Sequence, residues 1–196
     1  MDEWVTLEFD GGSRGNPGPA GIGLVVRAAD KTPLVMLGRC IGRATSNVAE
    51  YRALITAMQE AKKLGARKIL IRGDSELIIK QMRGEYRVKH PDMRKLFDEA
   101  QFLLHQFDEA RIEHNLRHKN ELADKLANLA MDRKADVTDA DEDAVNSVDA
   151  PAPLATQAGD RFQCPRCGCA IKVEKPSPIR PHQLKPFVCQ CGNKMG

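Results

Sequence analysis

The order of periodic segments is the feature that most constrains how this chain can fold. Apolar and polar residues alternate over residues 4–9, 22–26 and 34–41, which is typical of half-buried strands. A cluster of Gly and Pro at 11–21 predicts a turn region between the first two strands. Three such strands with no helical stretch between them predict an antiparallel meander, because short turns join antiparallel neighbours.

From Val48 onward the apolar residues recur every three to four positions, which indicates a helix that ends at Gly65. The later periodic stretches predict a strand at 68–72, helices at 74–82 and 93–107, a strand at 111–115 and a helix at 122–130. The predicted order is therefore β-β-β-α-β-α-α-β-α. This order predicts an α/β domain with a five-stranded mixed sheet, its first three strands antiparallel, flanked by helices.

Charge and composition divide the chain into three parts. Residues 1–134 hold all the periodic stretches and carry 23 Lys and Arg against 19 Asp and Glu. Residues 135–160 carry seven Asp and Glu and no Lys or Arg, and their lack of periodicity predicts an acidic flexible linker. Residues 161–196 carry seven Lys and Arg against one Glu, and they predict a separate small module. Two basic parts favour a polyanionic partner.

The chain has no apolar run near the ~20 residues of a membrane-spanning helix. Its N-terminus is acidic and enters the first strand directly, so no signal peptide is expected. We therefore expect a cytoplasmic protein without a membrane partner, whose cysteines are reduced or bound to metal.

Four carboxylates occur in separate motifs: Asp10 in FDGGSRGNPG, Glu50 in TSNVAEYRAL, Asp74 in RGDSEL and Asp124 in NELADKLAN. Each has a structural alternative. Asp10 could be a turn residue, Glu50 a capping-box partner of Asn47, Asp74 an N-cap and Asp124 a first-turn residue that favours the helix dipole. Taken together, four acids can hold two divalent cations about 4 Å apart, the arrangement used for phosphodiester hydrolysis.

In these motifs and their order, residues 1 to about 132 resemble a type 1 ribonuclease H. The resemblance implies the ribonuclease H fold and cleavage of the RNA strand of RNA–DNA hybrids, leaving 5′-phosphate and 3′-hydroxyl ends. It also implies two Mg²⁺ or Mn²⁺ ions. Asp10 would bridge both ions, Glu50 and Asp74 would each hold one side, and Asp124 would support the ion beside the nucleophile. Two alternatives stay open: a nuclease for double-stranded RNA, and a non-catalytic nucleic-acid-binding adaptor on the same fold.

The resemblance extends to contacts with the substrate. Arg43 and Thr45 match the family's pocket for a phosphate of the DNA strand. Residues 75–91 are too few for the basic, Trp-rich segment of several bacterial relatives, so the chain resembles the branch without it, some of whose members also cut RNA duplexes. The other implied contacts are Gly11 and Gly12, which would let the backbone approach a strand, and Asn16 and Asn47, which would grip the minor groove.

The resemblance also implies a loop residue that assists product release or proton transfer. Arg117 matches an Arg that members without the basic segment often use, and His118 is adjacent to it. Ungapped counting back from Asp124 gives His114, which ends a predicted strand. We rank Arg117 before His118 and His118 before His114.

Five of the six cysteines form two clusters, CPRCGC at 164–169 and CQC at 189–191. This spacing predicts a zinc-ribbon-like module, because Zn²⁺ prefers four tetrahedral thiolates and so small a module needs the metal to fold. The predicted ligands of one structural Zn²⁺ are Cys164, Cys167, Cys189 and Cys191, with Cys169 as a rival for one position. A disulfide pair is the alternative. The sixth, Cys40, lies in a predicted strand and is expected to be a buried thiol.

The basic zinc module is expected to supply the grip on nucleic acid that the missing segment gives other relatives. Docking of a partner protein is the alternative role. The protein is expected to be a monomer.

Overall fold

The computed structural model describes residues 3–115, 120–138, 161–163 and 170–172, the last two ranges as backbone only. The chain divides into two units, residues 1–145 and 146–196. The first unit contains, in chain order, β1 Trp4–Ser13, β2 Gly18–Arg27, β3 Pro33–Ala44, α1 Ser46–Lys63, β4 Lys68–Gly73, α2 Glu76–Met82, α3 Pro91–Leu104, β5 Glu109–His114, α4 Glu121–Arg133 and β6 Val137–Thr138.

The strands of the first unit form one mixed sheet in the order β5-β4-β1-β2-β3-β6. The pairs β1–β2 and β2–β3 are antiparallel, as predicted for a meander. The pairs β1–β4 and β4–β5 are parallel. Because parallel strands run in the same direction, Asp10 of β1 and the residues that follow β4 and β5 are brought together at one edge of the paired segments.

Helices cover both faces of this sheet. Ile22, Leu24 and Val26 of β2 belong to the larger core cluster, which also contains the buried side of α1. Val25 lies between them in sequence and packs instead with Leu126 and neighbouring residues of α4. Successive side chains of a strand point to opposite faces, so α1 and α4 lie on opposite sides of the sheet.

The ends of α1 follow from its capping residues. The side chain of Thr45 accepts a hydrogen bond from the backbone N–H of Val48 and so caps the first turn. At the other end Gly65 has a φ of 73°, and the N–H of Ala66 donates to the carbonyl of Ala61 over 3.0 Å. This geometry is typical of a glycine C-cap, and the predicted stop at Gly65 is confirmed.

The predicted turn region at 11–21 is mostly strand. β1 continues to Ser13 and β2 begins at Gly18, and the two pair as far as Ser13 opposite Ala20. The composition misled the prediction because several of these glycines serve the packing of helices on the sheet. At Gly21, for example, an added Cβ would lie 2.6 Å from the carbonyl oxygen of Ala127 in α4.

The described part of the sheet has six strands, and the prediction of five was wrong. Val137 and Thr138 pair antiparallel with Gly38 and Leu37 of β3. Val137 is fully buried in the cluster under α4. Residues 137–138 were predicted to be linker, but an apolar side chain at Val137 extends the folded unit past residue 134.

Cys40 is half-buried in β3 rather than buried as expected. It lies beyond the part of β3 that pairs with β6, so the sheet does not cover it on that side.

In the second unit the described residues form two short antiparallel strands, β7 Arg161–Gln163 and β8 Ala170–Lys172. The predicted zinc ligands Cys164, Cys167, Cys189 and Cys191, the rival Cys169 and the linker from 139 to 160 lie outside the described residues. Among the helices that the structure describes, none is both long and apolar enough to cross a bilayer.

Candidate active site

Three of the four predicted acids meet at one edge of the sheet. The register of β1 and β4 places Phe9 beside Gly73, so Asp10 and Asp74, the next residue of each strand segment, are neighbours. Glu50 reaches the same place from α1, which packs across β1. One carboxylate oxygen from each of the three side chains lies within 4.8 Å of the other two.

Two glycines allow this close approach. A Cβ on Gly11 would lie 2.2 Å from the carbonyl carbon of Ala49 and 2.3 Å from the nitrogen of Glu50. A Cβ on Gly73 would lie 2.4 Å from the ring of Phe9. Any side chain at Gly11 would therefore push α1, and with it Glu50, away from Asp10.

The structure gives Gly11 a packing role beside α1. Gly11 is buried against this helix and also lines the cavity beside the acids, and its predicted contact with a nucleic-acid strand stays a prediction. Gly12 is half-buried, and a Cβ there would meet only the tip of Met131 at 3.3 Å. Gly12 therefore keeps its predicted position at the open side of the site.

Burial and like charge raise the pKa of Glu50 well above its usual value. Removal from water is the largest cause, followed by the charges of Asp10 and Asp74. One oxygen of Glu50, Oε2, is buried and has no hydrogen-bond partner within the described part of the chain. A buried acceptor beside two further carboxylates is a donor set for a hard divalent cation, which would neutralise the charge and use the unpartnered oxygen. These residues therefore fit the Mg²⁺ or Mn²⁺ that the sequence predicts.

Asp124 lies in the first turn of α4 and lines the same open cavity as the three acids, a space of about 630 Å³. It is not among the three carboxylates whose oxygens lie within 4.8 Å of one another. The structure thus brings all four predicted acids to one cavity and sets Asp124 apart from the tight group. This separation agrees with a supporting role.

The structural alternatives for Glu50 and Asp74 fail on geometry. The N-cap of α1 is Thr45, so Asn47 is already within the helix and Glu50 is not its capping-box partner. The N-cap of α2 is Ser75, one residue after Asp74. Asp124 does lie in a first turn, as its alternative predicts, but it also lines the cavity.

The predicted substrate residues surround the β1–β2 turn and the start of α1. Asn16 Oδ1 accepts a hydrogen bond from the N–H of Ser46 over 3.2 Å, which leaves the amide nitrogen of Asn16 to contact a ligand. Arg43 and Asn47 are exposed at either side of Thr45. Since Thr45 accepts from Val48, its hydroxyl hydrogen remains able to donate to a phosphate.

Of the three auxiliary candidates, only His114 is among the described residues. It ends β5, as predicted, and lines the cavity. Its ring Nε2 lies 3.2 Å from the backbone oxygen of Asp74. Arg117 and His118 lie outside the described residues.

Sequence reasoning missed Asn120. Its side chain is buried, and its amide nitrogen donates to the carbonyl of Phe9 over 2.8 Å and to Asp74 Oδ1 over 3.3 Å. The available signal was its place at the head of the NELADKLAN motif, where an Asn reads as an ordinary N-cap. Asn120 is the N-cap of α4, but its side chain makes no capping hydrogen bond.

Comparisons with known proteins agree with this geometry. The model of the reverse transcriptase-like family matches residues 8–130. The bifunctional protein Rv2228c of Mycobacterium tuberculosis is 49% identical over 150 residues, which are 76% of this chain and 41% of that protein. This chain therefore spans less than half the length of that relative. Ribonuclease HI of Halobacterium salinarum is 48% identical over 128 residues, 65% of this chain and 64% of that protein.

Solved structures give the same picture. The N-terminal RNase H domain of Rv2228c has 51% sequence identity and a TM-score of 0.66, over 67% of this chain and 96% of that one. RNase H1 of Halobacterium salinarum has 46% identity and a TM-score of 0.65, over 66% of this chain and 98% of that one. LC11-RNase H1, solved with an RNA/DNA hybrid, has 38% identity and a TM-score of 0.64, over 66% of this chain and 98% of that one. The chain therefore belongs to the reverse transcriptase-like family, carries the ribonuclease H fold, and has type 1 ribonucleases H as its relatives.

Proposed function

We propose that this chain is an endoribonuclease that hydrolyses the RNA strand of RNA–DNA hybrids and leaves 5′-phosphate and 3′-hydroxyl ends. The observation that carries the proposal is the convergence of Asp10, Glu50 and Asp74, with Asp124 in the same open cavity. An adaptor that only binds nucleic acid has no need to bury an unpartnered carboxylate oxygen beside two like charges, an arrangement that is unfavourable without a cation.

Asp10, Glu50 and Asp74 would hold divalent cations, with Asp124 supporting one of them. When bound in such a site, Mg²⁺ or Mn²⁺ activates a water and stabilises the charge that develops on the phosphate. The protein itself supplies a fixed set of carboxylate oxygens, carried by β1, α1, α4 and the segment between β4 and α2, so little reorganisation is needed at the moment of reaction. His114 lies at the same edge and lines the cavity beside the acids.

A nucleic-acid duplex would be held by the surface beside this cavity. Arg43 and Thr45 can bind a phosphate through a charged fork and a hydroxyl, and Asn16 and Asn47 can donate hydrogen bonds in the minor groove. A hybrid offers the 2′-hydroxyls of one strand and the flexible phosphates of the other. The hybrid bound to LC11-RNase H1 supports the choice of substrate. The connection from α2 to α3, residues 83–90, is short, as in the branch of the family that lacks the basic segment. Because some members of that branch also cut RNA duplexes, an RNA duplex is the competing substrate.

The test is a cleavage assay with matched hybrid, RNA duplex, DNA duplex and single strands, in Mg²⁺, Mn²⁺ or EDTA, with the product ends analysed. We expect cation-dependent cleavage of the RNA strand of the hybrid. Asp10→Asn should reduce the cleavage rate by about 10³-fold or more without changing the fold, because it removes a charge from the cation site. Asp108→Asn is the matched control, since Asp108 lies at the opposite end of β5 and pairs with Arg67. Normal turnover by Asp10→Asn would refute the active-site assignment.

We also propose that the second unit binds one Zn²⁺ through Cys164, Cys167, Cys189 and Cys191. The spacing of the cysteines supports this, and so do the antiparallel strands β7 and β8, which flank the first cluster as strands flank a metal-binding hairpin. Metal analysis of the full chain should give one zinc per molecule. A Cys164→Ser and Cys167→Ser double variant should give none, whereas Cys40→Ser should leave the zinc content unchanged.

We further propose that the chain works as a monomer, since one chain supplies all four acids. Light scattering tests this.

A further inference from the structure

Asn120, the N-cap of α4, contacts two other segments of the acidic site through its side chain. Its amide nitrogen donates to the carbonyl of Phe9, the residue before Asp10, and to a carboxylate oxygen of Asp74. The backbone carbonyl of Asn120 accepts from the backbone N–H of Asp124 over 3.1 Å, in the first turn of α4. One residue thus connects β1, the segment after β4 and the start of α4.

The orientation of this amide is fixed by its neighbours. Both groups that face it, a backbone carbonyl and a carboxylate, can only accept hydrogen bonds, so the nitrogen must point toward them. The amide oxygen is then forced to the other side, where it is buried and has no hydrogen-bond partner among the residues that the structure describes. Asn120 itself is 1% exposed. A buried acceptor without a partner lowers the stability of the folded protein, so a functional reason for an Asn at this position is expected.

We propose that Asn120 is a positioning residue that holds the carboxylate of Asp74 in place for the cation and ties α4, with Asp124, to the tight group of acids. This inference rests on the proposed function. A carboxylate fixed through one of its oxygens cannot rotate freely, and its position relative to Asp10 and Glu50 is set before a cation binds. The same contact sets where α4 begins, and so where Asp124 enters the cavity.

The test uses the full chain and Mn²⁺ as the probe. Asn120→Ala and Asn120→Leu both remove the donor, and Leu keeps the branched shape. Binding of Mn²⁺ is followed by the electron paramagnetic resonance of the free ion, and hybrid cleavage gives kcat and KM. We expect both variants to bind Mn²⁺ about tenfold or more weakly and to lose about tenfold or more in kcat at saturating metal. KM for the hybrid should stay within about twofold, because Asn120 is buried and cannot touch the substrate.

Tyr51→Phe is the matched control for a general loss of packing. It removes a buried hydrogen bond of 2.7 Å between Tyr51 and Gln81, which joins α1 to α2 without contacting an acid. We expect Tyr51→Phe to lose at least as much unfolding free energy as Asn120→Ala, because the Asn120 change also removes an unpartnered oxygen, and yet to bind Mn²⁺ normally.

Three outcomes decide the matter. Normal Mn²⁺ affinity and kcat in either folded Asn120 variant would overturn the proposal. An equal loss of Mn²⁺ affinity in Tyr51→Phe would also overturn it, because the effect would then follow stability alone. A third outcome is that the wild-type protein cleaves no hybrid, while the Asn120 variants bind Mn²⁺ more weakly than the wild type. This result would support the positioning role and refute the proposed function.

Discussion

Replacing Glu50 by Gln should stabilise the metal-free protein while it abolishes cleavage. Glu50 is half-buried beside Asp10 and Asp74, and its Oε2 is buried with no hydrogen-bond partner among the described residues. Gln has nearly the same shape, carries no charge and offers a donor to the neighbouring carboxylates. The substitution therefore removes an unfavourable group from the fold and, in the same step, a ligand from the cation site.

The size of this gain can be bounded in two ways. Two unit charges 4.8 Å apart repel by about 3 kcal/mol at an effective dielectric constant of about 20. The pKa of Glu50 is raised well above its usual value of 4.5. For each unit by which the working pH exceeds 4.5, the charge on Glu50 can lower the free energy of unfolding by at most ~1.4 kcal/mol. At about pH 7.5 the ceiling is therefore about 4 kcal/mol. We expect a gain of about 2–4 kcal/mol, or roughly 5–15 °C in Tm.

The sign of the pH dependence follows from the direction of the shift. Because the pKa of Glu50 is raised in the folded protein, the folded state binds its proton more tightly than the unfolded state does. The wild-type protein in EDTA should therefore lose stability as the pH rises from about 4.5 through the raised pKa, and Glu50→Gln should lack this loss. Urea unfolding in EDTA between about pH 5 and 8 measures it, and added Mg²⁺ should restore stability to the wild-type protein alone.

Glu60→Gln is the control for a simple change of net charge. Glu60 lies further along α1, is half-buried and pairs with the exposed Lys63 at 2.7 Å. Its loss should change stability by less than about 1 kcal/mol and leave the response to Mg²⁺ intact. The reasoning fails if Glu50→Gln is no more stable than the wild-type protein in EDTA near pH 7.5. It also fails if both substitutions stabilise the protein equally.

Three further predictions concern substrate choice, the second unit and the sheet edge. Changing Arg43 and Thr45 together to Ala should reduce kcat/KM for hybrid by more than for RNA duplex, since they are proposed to bind a phosphate of the DNA strand; equal losses in the two assays would argue against that pocket. Removing residues 146–196 should raise KM, leave kcat similar and flatten the salt dependence of binding, because a tethered basic unit contributes phosphate contacts; identical salt slopes would favour a protein-docking role. Val137→Ala should lower the free energy of unfolding by about 1.5–2.5 kcal/mol, because two buried methyl groups are lost from β6; an unchanged urea midpoint would mean that β6 does not stabilise the unit.

The sequence was sufficient for the order of elements and for the four acids. Alternation over 4–9, 22–26 and 34–41 identified three strands of the meander, because each strand has one buried face. The acids could be found because each lies in a distinctive motif. The family resemblance implied that they converge, and the β1–β4 register brings Asp10 and Asp74 together.

The features that the sequence alone did not reveal depend on contacts between residues that are distant in sequence. Gly11 reads locally as a turn glycine, and only the position of α1 shows that its missing side chain makes room for Glu50. Val137 is a single apolar residue in an acidic stretch, and its burial depends on a groove between β3 and α4. Asn120 reads as a helix cap until Phe9 and Asp74 are placed beside it.

These contacts also imply that the cation site and the fold form one cooperative unit. Glu50 reaches the site only while Gly11 lies against α1, and Asp74 is held only while Asn120 of α4 lies against the end of β1. Each contact needs two elements to be in place already, so the unfolded chain has no comparable site. A cation that binds only the folded state stabilises it in proportion to the logarithm of its concentration. Because the cation neutralises the destabilising charge at Glu50, the stability of the protein should depend on the concentration of free Mg²⁺ or Mn²⁺. Asn120→Ala should weaken this dependence even where the metal-free variant unfolds like the metal-free wild-type protein.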